Sequence, residues 1–252
     1  MATPNGSSSV TTANDVALCV TCIVDQVLPE IGVATVRLLR QAGSTVHFPQ
    51  AQTCCGQPFF NSGFRDEARR LARRAIEIFE PYETVVLPSG SCATMIKMEY
   101  PHLFADEPEW LARANALAAK TFELSDFLAR CTEWKPDVTT DFPAVTYHDS
   151  CHMCRLLGIK EQPRQLLTAA GMKPHEMTES DRCCGFGGLF SVKMPEVSNA
   201  ITREKLRLAA QSGAEVLVTA DPGCLLQMRG LADESIRVEH LATMLAGQGA
   251  ET

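Results

Sequence analysis

The chain alternates short apolar runs with longer stretches in which apolar and charged residues recur at helical spacing. Runs of four or five apolar residues predict buried strands, and a period near 3.6 residues predicts amphipathic helices. The first part of the chain has predicted strands at 16–20, 45–48 and 84–87 and predicted helices at 28–42 and 65–80. The second part has predicted strands at 144–147, 173–177 and 215–219 and predicted helices at 161–170, 195–211 and 224–233.

This alternation of strands and helices is typical of an α/β fold with parallel sheets. It predicts two pseudo-symmetric Rossmann-like halves, each with a mostly parallel sheet flanked by helices. We expect residues 1–15 to form a disordered leader, 16–134 the first half with a helical connector at 107–131, and 143–252 the second half.

Charge and hydropathy narrow the function classes. The 252 residues include 23 basic and 30 acidic side chains, and a net charge of -7 disfavours non-specific binding to nucleic acid or to an anionic membrane. The N-terminus lacks the basic and apolar regions of a signal peptide, and no apolar run approaches 18 residues. We therefore expect a cytoplasmic protein without membrane insertion.

Eleven cysteines are unusual in such a protein, and eight of them form a repeat. The pair Cys54 and Cys55, followed by Gly56, recurs 129 residues later as Cys183, Cys184 and Gly185, and the same offset carries Cys22 onto Cys151. A fourth cysteine follows the next strand in each half, Cys92 and Cys224. The spacing indicates an internal duplication. Each half then supplies one set of four cysteines: Cys22, Cys54, Cys55 and Cys92, or Cys151, Cys183, Cys184 and Cys224.

Three cysteines fall outside the repeat. The 129-residue offset places Cys19 opposite His148 and Cys154 opposite Asp25, while Cys131 lies in the connector. Because Cys19 has no cysteine counterpart, the stretch from Cys19 to Cys22 is not interpreted as a redox C-x-x-C motif.

Four thiolates are the usual ligand set of an iron–sulfur cluster, so the repeat predicts one or two clusters per chain. A glycine after each pair, Gly56 and Gly185, leaves room for a cluster and frees backbone N–H groups to face it. Two alternatives stay open. One is structural zinc, although the long spacing differs from zinc knuckles. The other is thiol–disulfide chemistry at the adjacent cysteines.

Two histidines flank Cys151 in "YHDSCHMC". His148 and His152 are candidates for donors to a cluster sulfur, for proton carriers, for direct ligands, or for polar residues at a strand end. We expect them to contact the cofactor as donors more readily than as ligands.

The duplicated pattern resembles the cysteine-rich domain found in heterodisulfide reductases and in glycolate oxidase iron–sulfur proteins. More closely, "CCGQPFFNSG", "YHDSCHMCRLLGIKEQP" and "CCGFGGLFSVKM" resemble the lactate utilization protein A family. This resemblance implies an iron–sulfur component of an L-lactate dehydrogenase complex that oxidises lactate to pyruvate. It implies two partner proteins, one of them an iron–sulfur protein, and an electron-transfer role in which a partner handles the substrate.

The chain departs from the heterodisulfide reductase pattern at one position in each half. There each set ends in C-x-x-C, whereas here Met95 follows Cys92 and Gln227 follows Cys224 at that spacing. Four cysteines per set favour 4Fe-4S clusters, either two per chain or one beside a degenerate second site.

Overall fold

The computed structural model describes residues 15–131, 134–136 and 142–247. Its strands form two all-parallel sheets, which confirms the predicted α/β class. The first sheet has the order β2-β1-β3-β4 and the second the order β5-β6-β7. The strands are β1 Asp15–Leu18, β2 Thr45–His47, β3 Val85–Leu87, β4 Thr121–Glu123, β5 Val145–Tyr147, β6 Val216–Thr219 and β7 Arg237–His240.

Helices cover these sheets, and several bounds match the apolar periodicity closely. In α4, for example, the buried residues Ala68, Ala72, Ile76 and Phe79 recur every three or four positions on a helix whose other faces are charged. The helices of the first half are α1 Cys22–Val27, α2 Pro29–Gln41, α3 Gln57–Asn61, α4 Arg65–Phe79, α5 Gly90–Thr94, α6 Tyr100–Leu103, α7 Pro108–Ala119 and α8 Leu124–Arg130, with a π-helical turn at Met95–Glu99.

The second half repeats this arrangement with fewer elements. Its helices are α9 Glu161–Ala169, α10 Leu189–Lys193, α11 Pro195–Gln211, α12 Pro222–Arg229 and α13 Leu241–Ala246, with a π-helical turn at His152–Leu157. The predicted helix at 195–211 has the observed bounds.

Two sequence predictions were wrong in detail, and some elements were not predicted. The connector at 107–131 is not purely helical, because β4 interrupts it and adds a fourth strand to the first sheet. The strand predicted at 173–177 is reduced to a single bridge between Val145 and Pro174. Proline has no N–H to donate, which limits a ladder at that point. The strand β7 and the helix α13 were not predicted.

The two halves share one apolar core. Its buried residues come from both sheets, including Val16 and Leu18 of β1 and Leu217 and Val218 of β6. Helix α13 of the second half packs on α2 of the first, and α8 packs on α9. A second apolar cluster covers the opposite face of the first sheet, where Ala17 and Cys19 point toward α4.

This architecture brings the carboxyl ends of the central strands toward one region, where α/β proteins commonly place their chemistry. Cysteines from both halves follow β1, β3, β5 and β6 there. None of the helices in the described ranges combines the length and apolar character that a membrane crossing requires. The predicted leader lies almost wholly outside the described residues, as does most of the boundary between the halves, so those bounds remain predictions.

Candidate metal centre

All eight cysteines of the repeat line one cavity between the two halves. The cavity has a volume of about 150 Å³. One water molecule needs roughly 10–15 Å³ by the same measure. Residues 129 positions apart in sequence are thus brought to opposite parts of a single site, and the cavity has room for more than a single ion.

The first set is a chain of touching sulfur atoms. The Cys55 Sγ donates to the Cys92 Sγ at 3.2 Å. Hydrogen bonds from the Cys22 and Cys55 thiols to the Cys54 sulfur hold the pKa of Cys54 down at about 3. The hydrogen bond between Cys22 and Cys54, followed by burial, raises the pKa of Cys22. The set therefore already carries one thiolate, at Cys54, stabilised by its neighbours.

The second set has the same core contact, since the Cys184 Sγ donates to the Cys224 Sγ at 3.1 Å. Accepting that bond lowers the pKa of Cys224. Burial and the Asp221 carboxylate have the larger, opposite effect, so the pKa of Cys224 is raised to about 11. The bond that Cys183 donates to Cys184, with burial, raises the pKa of Cys183. Burial is also the main cause that raises the pKa of Cys151. These thiols become good ligands only when a cation offsets the cost of their buried charge.

The glycines after the paired cysteines turn the backbone toward sulfur. Gly56 N–H donates to Cys54 Sγ at 3.4 Å, and Gly185 N–H donates to Cys183 Sγ at 3.3 Å. Both glycines have left-handed backbone angles, with φ of +88° and +94°. A Cβ on Gly185 would lie 2.5 Å from the Ser198 carbonyl oxygen, so only glycine fits there.

A second layer of hydrogen bonds holds the two cysteine pairs. The Tyr100 hydroxyl donates to the Cys55 carbonyl, and the Thr202 hydroxyl donates to the Cys184 carbonyl, each at 2.8 Å. Gln227, at the position of the absent C-x-x-C cysteine, donates to the Ser198 and Thr202 hydroxyls at 3.1 and 3.0 Å. In the second half an amide therefore supports the loop where the related pattern has a further thiol.

The fourth cysteine of each set lies in the first turn of a helix whose N-cap is a polar side chain. The Cys92 N–H donates to the Ser89 hydroxyl and the Cys224 N–H to Asp221, each at 3.4 Å. Asp221 also accepts the Ser91 N–H at 2.6 Å. One carboxylate thus fixes a cysteine of the second set and joins its helix to the first half.

The two candidate histidines occupy different places. His152 lines the cavity, with Nδ1 at 3.6 Å from Cys151 Sγ and Nε2 at 3.3 Å from the Gln57 side-chain nitrogen. His148 is not among the lining residues and is buried. Burial lowers the pKa of His148 well below its usual value, and the nearby Lys205 ammonium adds to this effect. The imidazole of His148 is consequently neutral.

Several residues of the site carried no recognisable sequence signal. Asp221, Tyr100, Thr202 and Gln227 are ordinary polar residues in sequence, and only the fold brings them to the cysteines. Cys19 was set aside because its repeat counterpart is a histidine, yet it is buried in the apolar cluster that contains Cys55 and Cys92. Cys131 and Cys154 do not line the cavity.

The arrangement fits an iron–sulfur group in its donor chemistry. Each set offers four thiols, backbone N–H groups reach the sulfurs, and the walls are largely apolar, which are the features that such clusters use. The role of each cysteine as a ligand remains a prediction.

Comparison with known proteins agrees with this organisation. The cysteine-rich domain family, CCG, matches the chain twice, at residues 16–97 and 145–229. A crystal structure of a hypothetical protein from Helicobacter pylori superposes with a TM-score of 0.69 at 10% sequence identity, which supports the fold alone. The match covers 95% of this chain and 50% of that one, so the chain spans about half its length.

Relatives of similar length are much closer in sequence. Lactate utilization protein A of Bacillus subtilis (strain 168) is 45% identical over 234 residues, which cover 91% of this chain and 98% of that protein. Lactate utilization protein A of an Exiguobacterium species is 49% identical over 238 residues, covering 92% and 96% respectively. The chain therefore belongs to the lactate utilization protein A family and contains the cysteine-rich domain in two copies.

Proposed function

We propose that this chain is an electron-transfer component of a system that oxidises L-lactate to pyruvate. The observation that carries the proposal is the convergence of eight cysteines, four from each half, on one cavity. Membership of the family supplies the substrate, since the relatives are named for lactate utilization. The proposed ligands are Cys22, Cys54, Cys55 and Cys92 for one 4Fe-4S group and Cys151, Cys183, Cys184 and Cys224 for another.

Such groups, when bound, accept and release one electron at a time, whereas lactate oxidation removes two electrons. The described cavity walls include thiols, glycines, Gln57 and His152. Because iron–sulfur groups accept one electron at a time, we assign the two-electron oxidation of the substrate to a partner. Two further proteins of the lactate system, one of them an iron–sulfur protein, are the proposed partners.

The chain's own residues would position and insulate the groups. Gly56, Gly185 and Phe186 direct backbone N–H groups at sulfur. Hydrogen bonds from N–H to sulfur stabilise the reduced, more negative state and so raise its potential. No disulfide joins the cysteines, all of which lie in the described ranges, and the proposed setting is the reducing cytoplasm.

Thiol–disulfide exchange is a second candidate, favoured by one observation. Cys54 has a pKa of about 3 and is only half-buried, as a nucleophilic thiolate requires. This function needs no metal and would use Cys54 to attack a disulfide, with Cys55 or Cys22 as the resolving thiol.

Purification without oxygen, followed by iron, sulfide and zinc analysis, tests these functions against one another. The electron-transfer proposal expects about four irons and four sulfides per loaded set and a reducible paramagnetic signal. Colourless protein with stoichiometric zinc would instead identify a zinc-stabilised assembly module. Reduction of a model disulfide by metal-free protein, lost in Cys54→Ser, would identify the exchange function.

A further inference from the structure

His148 is a buried imidazole whose ring completes no hydrogen bond with the described residues. It is 1% exposed, and the Ser180 carbonyl lies near enough to favour the protonated ring without meeting hydrogen-bond geometry at Nδ1 or Nε2. Its backbone N–H donates to the Val218 carbonyl at 2.8 Å, which fixes the residue at the end of β5 beside β6. Buried polar atoms in native proteins nearly always have a partner, so an imidazole held in this way indicates a ligand of another kind.

The ring lies next to two sulfurs of the second cysteine set. A ring nitrogen of His148 and the Sγ atoms of Cys184 and Cys224 all lie within 4.8 Å of one another. Metal–sulfur and metal–nitrogen bonds of about 2.3 and 2.0 Å place two ligands of one metal roughly 4 Å apart. The three atoms are therefore close to the separation that a shared metal requires.

The first half places a different metal-binding side chain at the same position. Cys19 follows β1 as His148 follows β5, and its backbone N–H donates to the Val86 carbonyl at 2.9 Å, the counterpart of the bond to Val218. Cys19 is also buried, beside Cys55 and Cys92. Each half thus has a buried ligand-type side chain behind its two core cysteines, a thiol in one and an imidazole in the other.

We propose that His148 is a direct nitrogen ligand of the metal group held by Cys184 and Cys224. The inference rests on the proposed function for the identity of that group, an iron–sulfur cluster. A 4Fe-4S group has four ligand positions, so His148 would take the place of Cys151 or Cys183 in the ligand set proposed above. The two sets would then be chemically unequal, because an imidazole would replace an anionic thiolate in the second set alone. Histidine in place of cysteine raises the reduction potential of such a cluster.

The charged groups around the second set have opposing effects on its potential. Lys205 is fully buried, and its Nζ donates to the Glu179 and Ser180 carbonyls in the loop before Cys183. The position equivalent to Lys205 in the first half is Ile76, an apolar residue. The Lys205 cation favours an extra electron on the second set, whereas the Asp221 carboxylate near Cys224 opposes it. The imidazole ligand is therefore the feature from which we expect the higher potential of the second set.

Pulsed electron paramagnetic resonance on the reduced, reconstituted protein tests the nitrogen bond. With ¹⁵N-labelled histidine, the wild type should show one strongly coupled nitrogen. His148→Cys should retain the iron of the second set, lose that coupling and shift its midpoint potential downward. His152→Gln should keep the coupling. Clusters without a coupled nitrogen, or a coupling lost in His152→Gln and kept in His148→Cys, would overturn the assignment.

A cobalt titration separates this inference from the proposed function. In a Cys55→Ser background, which disables the first set, Co²⁺ binding to metal-free protein is followed by its thiolate charge-transfer absorption. Changing His148 to Phe should weaken Co²⁺ binding at least tenfold, while His148→Cys should restore it. If the wild type takes up no iron and sulfide, the proposed function fails. The cobalt titration then decides by itself whether His148 is a metal ligand. Equal Co²⁺ affinity with His148 or Phe at this position would refute the ligand role.

Discussion

Glu123 and His240 occupy equivalent positions in the two halves and perform the same structural task with opposite ionisation chemistry. Each is the last residue of the final strand in its sheet and caps the helix that follows. The Glu123 carboxyl group accepts the Ser125 N–H at 2.8 Å, and His240 Nδ1 accepts the Ala242 N–H at 3.1 Å. Both side chains are 1% exposed, so both are held in their neutral forms.

Glu123→Gln should change how stability depends on pH. Burial, with a contribution from Asp126, raises the pKa of Glu123 to about 8, against 4.5 for the free side chain. The folded state then binds more protons than the unfolded state, so wild-type stability falls as pH rises from about 5 to 8. The amide cannot ionise and keeps the cap. Its stability relative to wild type should rise by about 2 kcal/mol between pH 5 and pH 7, measured by urea unfolding; a pH-independent difference would contradict the assignment.

His240→Asn should show the opposite slope. Burial, together with Arg229, lowers the pKa of His240 to about 3, against 6.5 for the free side chain. The unfolded state binds the extra proton first, so wild-type stability falls as pH drops below 6.5. Asparagine retains a cap acceptor. Relative to wild type, the variant should gain about 2 kcal/mol between pH 7 and pH 5. In the wild type the opposite pH dependences of stability that Glu123 and His240 contribute largely cancel below pH 6.5. If the two residues act independently, the double variant should show the sum of the two single-variant effects.

These two residues also illustrate which parts of the fold the sequence could not predict. The strands that end at Glu123 and His240 have the sequences TFE and RVEH, which are short and lack a run of apolar residues. Both strands are edges of their sheets, paired on one side only in the described structure. Their strand character comes from pairing with the buried central strands β3 and β6. Local sequence pattern contains little of that information.

The cysteine sets were predictable for the converse reason. Metal ligands are a rare residue type, and duplication gave them a spacing that could be read without knowing the fold. The polar residues that orient them have no such rarity: Asp221 and Gln227 acquire their roles only when loops distant in sequence come together. Cys19 was overlooked because the repeat was identified from matching residue types. In the structure Cys19 and His148 occupy equivalent positions, although their side chains differ.

Gly185→Ala should cost more stability than Gly213→Ala. Both glycines have left-handed φ values, +94° and +77°. A Cβ on Gly213 meets no described atom within 4 Å, whereas one on Gly185 would lie 2.5 Å from the backbone oxygen of Ser198. Gly213→Ala should lower the free energy of unfolding by about 1 kcal/mol and Gly185→Ala by about 2–4 kcal/mol. Urea titrations compare them. Similar losses would show that the clash is relieved by backbone movement.

Asp221→Ala should be more harmful than Ser89→Ala, although the two residues cap equivalent helices. Ser89 accepts one backbone N–H, from Cys92, and its loss should cost about 1 kcal/mol. Asp221 accepts the N–H groups of Gly223 and Cys224 and also that of Ser91 in the other half. Leaving these donors unpaired should cost about 2–4 kcal/mol. Thermal or urea unfolding measures both, and equal losses would remove the argument that Asp221 joins the halves.

Cys184→Ser and Cys55→Ser should each remove one metal group and leave the other. Cys184 touches Cys224 at 3.1 Å, and Cys55 touches Cys92 at 3.2 Å, so each substitution breaks the core contact of one set. Iron content and visible absorption should fall by about half in either variant and almost completely in the double variant, because each cluster needs both of its core cysteines. Cys131→Ser is the matched control, since that half-buried cysteine does not line the cavity. A loss of iron in the control equal to that in Cys184→Ser would break the division into two sets, and complete loss from either single variant would indicate one group shared across the cavity.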